Sequence, residues 1–135
     1  MRNGWTFVAA ALGSLATSPV LACGACIEDR VAAVYDYQVE QQAGRDGLRI
    51  AYLGVLGRGA ESQAATAAVA AALRGMPAAL AGTVRTSASP AAASFAWRGD
   101  ESSLRNAIES VNGRLMASGL KVELLRTWDA RRGLH

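Results

Sequence analysis

Residues 48–56, Leu-Arg-Ile-Ala-Tyr-Leu-Gly-Val-Leu, decide how the rest of the chain is read. A short, largely apolar run of this kind, followed by the turn Gly57-Arg58-Gly59, predicts a strand in the middle of a sheet. Downstream, Ala60 to Arg74 reads as an alanine-dominated helix, stopped by Gly75 and Pro77. Thr83 to Ala88 is a weaker strand, Ser89-Pro90 a turn, and Ala91 to Trp97 a strand with Ala91, Ala93, Phe95 and Trp97 on one face. Asp100 is placed to cap a helix and Glu101 adds an anion to its first turn. Leu104, Ile108, Val111 and Leu115 form the apolar stripe of that helix, and Gly119 ends it. Leu120 to Trp128 is the last strand, with Leu120, Val122 and Leu124 alternating against Lys121 and Glu123.

The order from Leu48 onward is β-α-β-β-α-β. It predicts an α+β fold, a ferredoxin-like sandwich over residues 48–128, in which a four-stranded antiparallel sheet carries two helices on one face. Ala64, Ala65, Ala67, Ala68, Ala71 and Ala72 favour the first helix but bury little area each. At about 25 cal/mol per Å², that helix is expected to lie close to the sheet, to contribute less than the Leu104–Leu115 helix and to detach more easily. The tail, residues 129–135, is expected to be loose.

Upstream, Ile27 to Gln42 reads as one helix, with Ile27, Val31, Val34 and Tyr35 on a face and Glu28 and Asp29 in the first turn. Ala43-Gly44-Arg45-Asp46-Gly47 reads as a linker, so residues 23–47 form an added segment whose packing the sequence leaves open. Residues 1–22 read as a secretory signal peptide. Arg2 supplies the positive start, Trp5 to Leu15 the apolar stretch, and Val20-Leu21-Ala22 the small or modest residues before cleavage. The expected location is therefore the periplasm or another exported compartment. No segment of the processed chain reaches the length of a membrane span.

The chain has 135 residues and a formal net charge of +3, which falls to +2 without Arg2. Its positive charges are scattered and no basic run is interleaved with aromatic residues, which argues against a nucleic-acid surface. Lys121 is the only lysine. His135, the only histidine, is the last residue, so no Ser/His/Asp or Cys/His catalytic arrangement is expected, and the chain is not read as an enzyme. Asp36 and Glu40 are read as a solvated helix face, and Met76 and Met116 as isolated core or loop residues.

Cys23-Gly-Ala-Cys26 is the conspicuous chemical feature. Two thiolates at this spacing can hold one soft metal ion such as Cu(I), close a small disulfide in an oxidising compartment, or act as a redox dithiol. Cleavage after Ala22 would also leave Cys23 as a site for lipid attachment. The β-α-β-β-α-β pattern over 48–128 resembles the heavy-metal-associated domain of copper chaperones and metal-transport ATPases. That resemblance implies soft-metal handling, with a metal-handling protein or a second copy as partner. The family carries its Cys-x-x-Cys in the loop after the first strand. Here that loop is Gly57-Arg58-Gly59-Ala60 and has no sulfur ligand, so Cys23 and Cys26 can serve only if the leading helix folds them back. The run Cys23-Gly-Ala-Cys26-Ile27-Glu28-Asp29-Arg30, with Tyr35-Asp36, is also similar to the opening of a group of small exported bacterial proteins of unassigned activity. Set against the metal reading is a non-catalytic interaction module with a Cys23–Cys26 disulfide or a lipidated Cys23.

Overall fold

The computed structural model describes residues 26–135; the expected leader over residues 1–22 and Cys23 lie outside the described residues. Helices α1 (Ile27–Val34) and α2 (Tyr37–Asp46) lead into strand β1 (Arg49–Gly57), followed by α3 (Gln63–Arg74), β2 (Arg85–Ala88) and β3 (Ala91–Trp97). Helix α4 (Glu101–Leu115), β4 (Leu120–Asp129) and a short β5 (Gly133–Leu134) complete the chain. The fold is α+β. Its antiparallel sheet has the order β2-β3-β1-β4-β5, so the strand expected to be central is central.

Both faces of that sheet are covered. Ala51, Leu53 and Val55 of β1 join Phe95, Trp97 and Val122 in a core against Val69 and Leu73 of α3 and Leu104, Val111 and Leu115 of α4. Ile50 and Tyr52 point the other way and pack with Ala92 and Ala96 under Val31, Val34, Val39 and Ala43 of α1 and α2. Alternation along a strand sends successive side chains to opposite faces, so a strand buried on both reads as a continuous apolar run. β3 is buried along its whole length, and its alanines let helices approach from both sides. Val69 and Leu73, rather than the alanines, anchor α3; both are fully buried.

The leading segment is two helices, where one helix was expected. The chain breaks at Tyr35-Asp36 because Asp36 caps α2: its Oδ1 accepts from the Gln38 and Val39 amides at 2.8 and 3.3 Å. Two distant partners fix the break. The Ser94 hydroxyl donates to the Val34 carbonyl at 2.9 Å, and Arg85 Nε donates to Asp36 Oδ2 at 2.8 Å. Helix α2 then runs through 43–46, where a linker was expected, and ends at Gly47, whose φ of 65° is the left-handed conformation of a helix C-cap. Leu48 follows at once and is buried in the same core as α2.

The last strand also departs from simple alternation. Tyr52 pairs with Arg126 and Leu53 with Leu124, so Leu125 is the extra residue of a bulge. Beyond it the facing reverses, and Trp128 packs toward the α1–α2 side. The tail 129–135, expected to be loose, turns back as a hairpin. The Thr127 amide donates to the His135 carbonyl at 2.7 Å, and the His135 amide donates in return at 2.8 Å.

Candidate functional site at the start of α1

Cys26 is the N-cap residue of α1. Its backbone is extended (φ −60°, ψ 168°), its side chain makes no capping hydrogen bond, and the residue is exposed. Glu28 and Asp29 occupy the first turn. Glu28 also reaches β4, where its Oε1 accepts from Arg126 Nη2 at 3.2 Å across the sheet face. Cys23 lies outside the described residues, so the distance between the two sulfurs is not part of this geometry.

The direction of α1 over the sheet places Cys26. Its last residue, Val34, is tied to Ser94, which pairs with Tyr52. One turn nearer its start, Arg30 lies against Gly54, two residues further along β1. Nearer still to its start, Glu28 reaches Arg126, which pairs with Tyr52, so the helix crosses the sheet from β3 toward β4. Arg30 lines a cleft of about 430 Å³ together with Leu56, Gly57, Gly59, Glu61 and Pro90.

Arg30 was not singled out by sequence reasoning. Its side chain is 22% exposed, and Nη1 stands 3.7 Å from Glu123 Oε1, an ion pair beyond hydrogen-bond reach. Nε is sealed from solvent and has no hydrogen-bond partner among the described residues. Gly54 makes room for the guanidinium, because a Cβ there would stand 2.8 Å from Nη1. The available signal was Gly54 itself: a glycine inside a strand often marks the close approach of another group.

The other predicted residues lie elsewhere. Asp36 is a helix cap paired to Arg85, not a solvated face, and this partner with the α2 amides holds its carboxyl below the usual range. Tyr52 is buried between sheet and helices. Loss of solvent, with Glu40 nearby, pushes its phenol up to about 12. Met76 is core and Met116 is exposed. His135 sits on the β4–β5 hairpin with its Nδ1 3.1 Å from the Gly133 carbonyl. Among the described residues no three His, Cys, Asp or Glu side chains gather to hold a metal ion.

A second concavity, of about 460 Å³, lies between α4 and β4 and is lined mainly by Leu104, Ile108, Leu124 and Leu125. Leu124 is 45% exposed there. No described helix is long and apolar enough to cross a membrane. The chain matches no protein-family model, no curated protein and no solved structure.

Proposed function

We propose that this chain is a small exported envelope protein with a ferredoxin-like core, and that it holds a soft metal ion, Cu(I) by preference, between the thiolates of Cys23 and Cys26. The observation that carries the reading is Cys26 itself, an exposed thiol at the start of a helix that packs on the sheet. Strand order supports the ferredoxin-like part. β3 lies between β1 and β2, and β1 lies between β3 and β4, so each strand–helix–strand unit is split by a strand of the other.

The chemistry favours Cu(I) over zinc. Two thiolates suit a soft, two-coordinate ion, whereas structural zinc takes four ligands. Cys26 is exposed and its side chain makes no capping bond, so its sulfur is available at no cost to the helix. A metal-handling protein or a second copy would be the partner for exchange. The alternative is an interaction module whose cysteines form a disulfide or whose Cys23 is lipidated; the exposed apolar concavity beside Leu124 favours it.

Native mass spectrometry with stoichiometric Cu(I) under reducing conditions tests the metal reading. One copper adduct is expected in the parent protein and none in Cys23→Ser or Cys26→Ser. A parent protein that takes up no copper sinks the reading. Intact mass of the exported product separates the alternative, since it fixes the first residue, detects acyl chains and shows whether the thiols are oxidised.

A further inference from the structure

We infer that α4 and the uncovered stretch of β4 form the interface of a weak two-fold dimer of this chain. Strand β5 covers β4 only from Thr127 onward, and Asn112 occupies the outward backbone groups of Val122. Between them lies the bulge at Leu125, so too little regular edge is left for an added strand to pair with. A partner therefore meets side chains here. The concavity of about 460 Å³ has Leu104 and Ile108 of α4 along one side and Leu124 and Leu125 of β4 along the other. Leu124 is 45% exposed, an apolar group left open at its rim.

Charge selects a second copy as the occupant. Arg105 and Glu109 are exposed on α4, and both line the concavity beside Ile108. They stand four residues apart, yet neither takes part in an ion pair among the described residues. Arginine before glutamate is the weaker order for such a pair within one helix. A two-fold axis at the level of Ala107 sets two α4 helices antiparallel, and each Arg105 then faces Glu109 of the other copy. Glu101 comes opposite Gly113, so no like charges meet. Ile108 and Leu124 of both copies close over the middle and leave water. One helix face and one concavity make a footprint below the roughly 1,200 Å² of a stable complex, so the dimer is weak. It stands apart from the metal reading, because α1, with Cys26 at its start, packs on the opposite face of the sheet.

Sedimentation equilibrium of the exported protein tests it, under reducing conditions so that no disulfide joins two copies. The chain is expected to be monomeric near about 10 µM and half dimeric near about 0.1 mM. Leu124→Asp, Arg105→Glu and Glu109→Arg are each expected to weaken association at least about fivefold. All three positions are exposed, so the circular dichroism of the fold is expected to stay unchanged. Combining Arg105→Glu with Glu109→Arg is expected to restore the parent affinity to within about twofold. A protein that stays monomeric at about 1 mM, or a dimer indifferent to Leu124→Asp, overturns the proposal. So does a double reversal that associates no better than the single variants.

Discussion

The side-chain amide of Asn112 is paired with both backbone groups of Val122: Nδ2 donates to the Val122 carbonyl at 3.1 Å, and the Val122 amide donates to Oδ1 at 2.8 Å. An α4 side chain thus does what a neighbouring strand would do on the open edge of β4. The other end of the sheet has a counterpart. Thr83 Oγ1 accepts from the Ala96 amide at 2.8 Å where β2 is too short to reach. Unpaired edges invite other chains; Asn112 covers β4 at Val122, and at Ala96 Thr83 works with the Leu80 amide, which donates to the Ala96 carbonyl at 3.0 Å.

Asn112→Ala should therefore destabilise the fold by about 1–3 kcal/mol, the cost of leaving a half-buried donor and acceptor without partners. It should also free the β4 edge between Leu120 and Leu124. Urea unfolding gives the first effect and light scattering the second. An unchanged midpoint with a strictly monomeric variant would show that the pairing is incidental.

Asp36 links the leading helices to β2, and its carboxyl is held low by Arg85 first and by the α2 amides. A group depressed in the folded state adds stability that is present above the ordinary carboxylate value, near 3.9. That stability is lost as pH falls through the folded value. Asp36→Asn keeps a capping oxygen but loses the charge, so the parent and variant should converge at low pH and separate above about pH 4. Urea midpoints between pH 2 and about pH 7 measure it; parallel curves would contradict the assignment.

Tyr52 is displaced in the opposite direction, from 10.0 to about 12, by loss of solvent. For an acid raised in the folded state, the stabilisation is complete below the unfolded value. It disappears as pH rises through the folded one. Absorbance titration of the tyrosines should show one phenol ionising near pH 12, together with loss of the fold. Tyr52→Phe should remove that late step.

Two glycines of β1 should respond very differently to alanine. Gly57 has φ of 123°, and a Cβ there would strike the Gly119 carbonyl, so Gly57→Ala should cost roughly 2–5 kcal/mol. At Gly54 the obstacle is the end of a flexible side chain, so Gly54→Ala should shift stability by less than about 1 kcal/mol and move Arg30 instead. Thermal unfolding separates the two, and similar losses at both would refute the distinction.

Most of the sheet and both helices after it were legible because they are written in local chemistry. Asp100 accepts from the Ser103 amide at 2.8 Å, as a cap should, and Gly119 takes φ of 66° where the stripe of α4 ends. What escaped depends on partners far along the chain. Asp36 looks like any anion on a helix until Ser94 and Arg85 are in place. The bulge at Leu125 is a matter of register against β1, and Leu120 to Trp128 alone cannot show it. The loose tail was misread because its bonds to Thr127 are made by backbone atoms, which composition does not reveal. Of the candidate site, the sulfur was legible and Arg30 was not, since an arginine on a helix ordinarily faces water.

The second core has a consequence for the cysteine arm. Because Val31, Val34, Val39 and Ala43 cover Ile50, Tyr52, Ala92 and Ala96, the leading helices cannot be trimmed without stripping one side of the sheet bare. Cys26 is therefore moored to the rigid body of the molecule, not trailing on a tether. On the proposed reading, a partner taking the metal would have to dock against the start of α1 rather than meet a free arm.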